Sequence, residues 1–559
     1  MSLERPWLQS YPNGVPAEID VNEFRSVSAV FDTSVAKYRD RPAYSSFGKV
    51  LTYGETDALV EKFAAYLLGE LKLKKGDRVA LMMPNCLQYP VATFGVLRAG
   101  LTVVNVNPLY TARELKHQLV DSGASVLVVV DNFGDTVQQV IADTPSIKQV
   151  VTTGLGDMLG AKGVVVNFVL KYIKKMVPNY SLRGAIRFNQ ALKLGAGHTL
   201  PKVEVDHDDV AFLQYTGGTT GVAKGAMLTN RNLVANMQQA SAWISASGIE
   251  MGKEWIITAL PLYHIFALTA NGLVFMKFGG CNHLITNPRD MKGFVKELKS
   301  TRFTAITGVN TLFNGLLNTP GFDEVDFSSL KVTLGGGMAV QRAVAERWKK
   351  TTGVTLVEAY GLTETSPAAC INPLNLAEYN GAIGLPIPST DACVKDDNGV
   401  TLPAGDVGEL CIRGPQVMKG YWQRQEDTAK AIDADGWLHT GDMARMDEKG
   451  FFYIVDRKKD MILVSGFNVY PNEVEDVIAM MPGVLEVAAV GVPDEKSGEV
   501  VKVVIVKKDP NLTAEQVKEH ARANLTGYKH PKIVEFRKEL PKTNVGKILR
   551  RELRDAPAA

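Results

Sequence analysis

Hydrophobic positions along the chain fall into two patterns. Short unbroken apolar runs at 79–83, 125–130, 210–215, 256–260, 331–334 and 356–360 predict buried strands. Between them, apolar residues return every three or four positions over 115–122, 230–239, 266–278, 294–299 and 340–349, which predicts helices. Strands alternating with helices imply the α/β class, with parallel-rich sheets flanked by helices. The pattern changes over about 380–457, where glycines and turn residues predict a small barrel-like β subdomain of antiparallel strands. Beyond it lie predicted strands at 487–492, 500–506 and 533–536 and helices at 473–480 and 513–524. That span, about 100 residues, can hold its own core. The expected organisation is a large N-terminal domain, 1–457, and a small α+β C-terminal domain, 458–559. They meet at the charged run Asp456-Arg457-Lys458-Lys459-Asp460.

Composition narrows the classes. With 559 residues, about 150 per domain allows three or four domains at most. Sixty-two basic against sixty acidic residues give no global field to recruit nucleic acid. The five cysteines, Cys86, Cys281, Cys370, Cys393 and Cys411, show no C-x-x-C spacing, which fits a reducing compartment better than a disulfide framework or zinc site. No apolar run reaches the eighteen or so residues of a membrane span, and the N-terminus lacks a signal core. A cytoplasmic protein is expected.

Chemistry enters at Tyr215-Thr216-Gly217-Gly218-Thr219-Thr220-Gly221-Val222-Ala223-Lys224-Gly225, directly after a predicted strand. Glycines let backbone approach a phosphate, threonines offer hydroxyls, and Lys224 adds a cation. The Walker pattern fails, because Ala223 and Gly225 flank the lysine. The order of residues resembles the phosphate loop of the adenylate-forming superfamily. Other segments extend that resemblance: Gly335-Gly336-Gly337, Tyr360-Gly361-Leu362-Thr363-Glu364, Trp437-Leu438-His439-Thr440-Gly441-Asp442, Arg457, and Pro541-Lys542-Thr543-Asn544-Val545-Gly546-Lys547. The resemblance implies that Thr216, Gly217, Gly218, Thr219, Thr220, Gly221, Lys224, Gly335, Gly336, Gly337, Tyr360, Gly361, Leu362, Thr363, Glu364, Asp442, Arg457 and Lys547 contact ATP, with Thr216, Lys224, Glu364 and Lys547 catalytic. Tyr360 would stack near adenine beside the three glycines, Thr363 would meet a phosphate, and Asp442 and Arg457 would hold the ribose. Glu364 would hold Mg²⁺, and Lys547 would reach the α-phosphate. Lys459 matches the family's hinge position, about which a mobile small domain rotates. That rotation would bring Ser465, Gly466 and Phe467 toward coenzyme A.

The segment Leu260-Pro261-Leu262-Tyr263-His264-Ile265-Phe266 opens the apolar stretch at 266–278. By resemblance it lines an acyl pocket with Tyr263, His264, Phe266, Val309 and Gly337. A lone histidine beside apolar residues also reads as a hydrogen-bonded core group. The long match through 455–473, and across almost the whole chain, resembles bacterial long-chain fatty acyl-CoA synthetases. It implies ATP, Mg²⁺ and coenzyme A as reactants and cofactors, a fatty acid as substrate, and a homodimer. The chain ends shortly after Lys547, so a free coenzyme A is the expected acceptor rather than a fused carrier. Thr365-Ser366-Pro367 leaves the acid's identity open. Medium-chain or aryl-acid ligases, and a nucleotide sensor without catalysis, are the alternatives. Finally, Asn167, Lys171, Lys174 and Lys175 share one arc of a helical wheel over 163–177, with apolar residues filling most of the rest. This basic amphipathic pattern suits peripheral contact with a membrane, or an ordinary core-covering helix.

Overall fold

The unbroken apolar runs become inner strands of two large sheets. The computed structural model describes residues 4–216, 223–465, 467–494, 497–543 and 546–554. One sheet has nine strands in the order Leu385–Pro386, Ala368–Ile371, Val357–Gly361, Val332–Gly336, Ala305–Gly308, Trp255–Thr258, Cys281–Leu284, Pro42–Ser46 and Lys49–Thr52. Its centre is parallel and its two ends are antiparallel. The other has seven, in the order Ile186–Arg187, Gln149–Thr153, Val126–Val130, Arg78–Met82, Thr102–Asn105, Val210–Thr216 and Lys224–Thr229. Only the last pair is antiparallel. Val126–Val130 and Ala305–Gly308 are buried along their whole length, as strands covered on both faces must be. Val79, Val126, Ile256 and Ile306 belong to one buried apolar cluster, so the two sheets share a core.

The turn-rich region forms a four-stranded antiparallel sheet of Asp391–Lys395, Gly408–Arg413, Leu438–Met446 and Phe452–Arg457. From Ile462 onward a smaller α+β lobe forms, as expected from the pattern. Its long hairpin, Val484–Asp494 with Gly498–Lys507, is flanked by Ile462–Val464 and Ile533–Arg537 and packed against Pro471–Ala479 and Ala514–Asn524.

Two stretches depart from expectation. The apolar stretch at 266–278 is not one regular helix. Ile265–Ala267 leads into a π-helical turn, Leu268–Leu273, before Val274–Lys277. Buried polar side chains in the widened turn find partners on neighbouring elements. Thr269 donates to Ser366 O at 2.7 Å, and Asn271 Oδ1 accepts from Thr307 at 2.8 Å. The second is the basic stretch, which forms helical turns over Ala161–Phe168 and Val169–Ile173. Asn167, expected on the outward polar arc, is turned in: it donates to Asp157 Oδ1 at 2.7 Å and accepts from Gly156 N at 2.8 Å. A helical wheel assigns faces by angle alone, whereas a short amide finds a half-buried carboxylate.

Candidate active site

Thr216 and Lys224 are paired across the antiparallel hairpin, so both stand at the mouth of the glycine-rich turn. Gly217, Gly218, Thr219, Thr220 and Gly221 lie outside the described residues. Thr229 ends the second strand and caps the helix Asn230–Ser245, exchanging hydrogen bonds with Asn232. The hairpin is thereby anchored at its base. Lys224 Nζ lies 2.8 Å from Asp427 Oδ1 and 5.3 Å from the centre of the Tyr421 ring. Tyr421 in turn donates to Glu364 Oε1 at 2.7 Å, and Met418 N donates to Glu364 O at 2.8 Å. The loop 418–424 therefore steadies both the hairpin's lysine and the glutamate. Sequence reasoning missed Tyr421 and Asp427, since neither sits at a fixed spacing from its partner.

A second cluster forms on the strand pair Leu438–Met446 and Phe452–Arg457, where Asp442 is directly opposite Arg457. Arg457 Nε lies 3.0 Å from Asp442 Oδ1, and Tyr360 donates its hydroxyl to Asp442 Oδ2 at 2.5 Å. Burial, then the Asp442 charge, hold the Tyr360 phenol far above its ordinary range. The Asp442 charge also raises the Arg457 guanidinium. Gly335 and Gly336 end the strand Val332–Gly336 beside this cluster's strand Val357–Gly361. A Cβ on Gly361 would come within 1.8 Å of Pro367 O, so only glycine fits. Leu362 leads into the turn Thr363–Thr365, which carries Glu364.

The smaller lobe supplies Lys547. Lys542 and Ile548 pair across a tight turn in which Thr543 N donates to Lys547 O at 2.7 Å. Thr311, on the large lobe's helix Asn310–Leu317, donates to Gly546 O at 2.9 Å. The lysine thus reaches into a narrow cavity lined by Leu260, Pro261, His264, Phe266, Val309 and Gly337. Gly337 has φ +78°, and a Cβ there would lie 3.4 Å from Lys547 Cε and 3.6 Å from Val309 Cγ1. Burial pulls the Lys547 ammonium down to about 8; Arg457 lowers it further while Asp442 and Glu364 oppose the fall. The cluster around Asp442 and the glutamate are therefore within electrostatic reach of the lysine.

His264 Nδ1 accepts from Phe266 N at 3.3 Å, capping the apolar helical segment. Burial, then the Lys547 charge, lower its imidazolium to about 3, so the ring is neutral. It is both the structural cap and a wall of the cavity. Tyr263 is buried and its carbonyl accepts from Gln214 at 2.7 Å, but it does not line the cavity. Ser465 and Phe467 lie at a strand turn of the smaller lobe, where Phe467 is exposed and stacks on Tyr528 at 4.8 Å. Gly466 between them lies outside the described residues. Lys458 N still bonds Gly441 O on the large lobe, whereas the Lys459 and Asp460 carbonyls accept from Arg554 of the smaller one. Lys459 stands at that crossover.

Among the described residues no three His, Cys, Asp or Glu side chains gather to hold a metal by themselves. The lone Glu364 carboxylate nevertheless suits Mg²⁺, which takes one or two carboxylates and completes its shell with water and substrate phosphates.

An apolar cavity, a lysine reaching into it and an anchored phosphate hairpin on this fold define an adenylate-forming enzyme. The chain belongs to the AMP-binding enzyme family, whose model matches residues 31–422, with the family's C-terminal domain matched over 473–547. Among relatives, a long-chain-fatty-acid–CoA ligase of Escherichia coli O6:H1 is 59% identical over 99% of this chain and 98% of its own length. Its namesake in Haemophilus influenzae is 54% identical over 100% of this chain and 99% of its own. The crystal structure of ATP-bound MatB from Rhodopseudomonas palustris is 29% identical, with a TM-score of 0.81 over 95% of this chain and 98% of that one.

Proposed function

We propose that this chain activates long-chain fatty acids as their coenzyme A thioesters at the expense of ATP, working in contact with an anionic membrane surface. One observation carries the first part: Lys547 reaches into the same cavity as an apolar wall of Leu260, Pro261, Phe266 and Val309. An acid whose tail is apolar and whose head is anionic fits that combination.

The carboxylate would otherwise have to expel oxide. In the first step its oxygen attacks the α-phosphorus of ATP; an O–P bond forms, the bond to the β-phosphate breaks, and pyrophosphate leaves. In the second, the coenzyme A thiolate attacks the acyl carbonyl and AMP departs. Both partners of the first step are anions, so positioning and charge compensation dominate. Protonated Lys547 neutralises charge at the α-phosphate, Lys224 and Thr216 hold the distal phosphates, and Asp442 with Arg457 orients the ribose. Glu364, held by Tyr421, is the residue that would hold Mg²⁺, which neutralises phosphate charge when bound. Neutral His264 adds no competing cation beside Lys547. Ser465 and Phe467 are exposed on the smaller lobe and do not line the Lys547 cavity, which agrees with a thioester step that follows rotation about Lys459.

The test is pyrophosphate release across a panel of carboxylic acids. Long-chain acids should give the highest kcat/KM. Preference for aryl or medium-chain acids would move the assignment, and nucleotide binding without turnover of any acid would leave a sensor.

The membrane part rests on the helical turns at Ala161–Phe168 and Val169–Ile173. Their outward side chains are apolar: Val164 is 73% exposed, Phe168 55% and Ile173 63%. Val165, Tyr172 and Met176 join them. No Asp or Glu occurs between Asp157 and Glu204, while Lys171, Lys174 and Lys175 are exposed in the same turns. Exposed apolar side chains interspersed with lysines suit an interface of anionic lipid. Among the described residues no helix is long and apolar enough to cross a bilayer. Flotation with anionic vesicles should be strong at low salt and lost on replacing Phe168 with Asp, or Lys171, Lys174 and Lys175 with Glu. Unchanged flotation of both variants removes this part.

A further inference from the structure

Asp456 is fully buried at the end of the large lobe's strand Phe452–Arg457, yet it is bound mainly by the other lobe. Its Oδ2 accepts from Asn472 N at 2.9 Å, in the first turn of the smaller lobe's helix Pro471–Ala479. Its Oδ1 accepts from Arg550 Nη1 at 3.1 Å and from the adjacent Arg457 N at 2.7 Å. A carboxylate of one lobe thus caps a helix of the other.

Arg550 is itself held rigidly within the smaller lobe. Its Nε donates to Glu475 Oε1 at 2.9 Å and its Nη2 to Glu475 Oε2 at 2.7 Å, with Asn472 Oδ1 at 2.5 Å from Nη2. Glu475 Oε1 also accepts from Ala489 N at 2.8 Å. With two edges of the guanidinium committed, only Nη1 can point across the boundary, and only in one relative orientation of the lobes. Arg550 also lies three residues beyond Lys547, just after the turn that presents the lysine.

We propose that Asp456, with Arg550 and the Asn472 amide, is the latch that holds the smaller lobe in the adenylating arrangement. It acts as a positioning pair for Lys547 and touches no substrate. The proposal rests on the two-arrangement reading above. Rotation about Lys459 leaves Asp456 with the large lobe and carries both small-lobe donors away, while Arg550 keeps Glu475. The latch therefore favours the first half-reaction alone.

The test measures the two half-reactions separately in the full-length enzyme. Pyrophosphate release without coenzyme A reports adenylation, and thioester formation from supplied acyl-adenylate reports the second step. Asp456→Asn should lower adenylation about tenfold or more, while the second step is unchanged or faster. Arg550→Lys should show the same split, which keeps the question decidable if Asp456→Asn folds poorly. The double variant should lose little beyond either single one. Lys547→Ala is the control: it should lose adenylation and retain thioester formation. If it splits the half-reactions while the latch variants lower both alike, or neither, the latch is refuted and the two-arrangement reading survives. If Lys547→Ala lowers both steps equally, the two-arrangement reading falls and the latch with it.

Discussion

Contacts within each lobe and contacts between the lobes are built from different chemistry. Inside the large lobe one apolar cluster runs through both big sheets. The smaller lobe has its own clusters, around Ile462, Val503 and Ile505 and around Val490 and Leu553, and neither includes a residue from the large lobe. Among the described residues, directional hydrogen bonds cross between the lobes: Thr311 to Gly546, Asn314 to Leu485, and Asp456 to Asn472 and Arg550. Apolar burial is non-directional, and breaking it costs about 25 cal/mol for each Å² re-exposed. Hydrogen bonds can be exchanged for water at a net cost of only about 1 kcal/mol each. Each lobe is therefore built to stay folded, and the joint between them to be remade.

The largest expected effect lies within a lobe. Ile505 is fully buried, and Ile505→Ala should destabilise the smaller lobe by about 2–5 kcal/mol. Thermal unfolding should show it, and both half-reactions should fall together wherever that lobe melts. A variant that melted normally would break the comparison on its apolar side.

The second effect concerns the charge that crosses the joint. Lys547 acts as a cation, and burial has lowered it from its ordinary value to about 8. Adenylation kcat/KM should be full below that pH and fall about tenfold per unit above it, because kcat/KM reports the free enzyme. Lys547→Arg should retain its charge and lose the alkaline limb. Bound ATP, being anionic, should push the limb in kcat to higher pH. His264 titrates far below neutrality and should add no step between pH 5 and 8.

The smallest effect tests one joint bond. Asn314 Nδ2 donates to Leu485 O at 2.8 Å, and Asn314→Ala should cost about 0.5–1.5 kcal/mol. That predicts a few-fold loss of adenylation with unaltered melting and an intact second half-reaction. Equal losses in both steps would mean the bond supports the fold rather than the arrangement of lobes.

Much of the architecture was legible because burial leaves a periodic trace. The predicted inner strands match Arg78–Met82, Val126–Val130, Val210–Thr216 and Val357–Gly361 within two residues at either end. The helix and strand pattern after 458 is likewise present in Pro471–Ala479, Val484–Asp494 and Gly498–Lys507. The glycine, threonine and lysine motifs could be read because their spacing serves backbone geometry. Partners brought together only by the fold left no such trace. Nothing in the spacing ties Tyr421 to Glu364, Asp427 to Lys224, or Asp456 to Arg550, which is 94 positions away. Periodicity also misplaced Asn167, whose amide satisfies Asp157 instead of joining the outward arc. The π-helical turn was hidden for a related reason: composition marks 266–278 as apolar, while Thr269 and Asn271 select the local geometry through neighbours distant in the chain.

Gly337 has an evolutionary corollary. It borders both the route of the Lys547 arm and the wall beside Val309, and its backbone already occupies a left-handed conformation. Shortening the acid's berth by adding bulk here would simultaneously obstruct the arm that activates the acid. Selectivity for smaller acids must therefore be acquired elsewhere on the wall, at a position such as Phe266, leaving this bare stretch of main chain as common ground for every substrate.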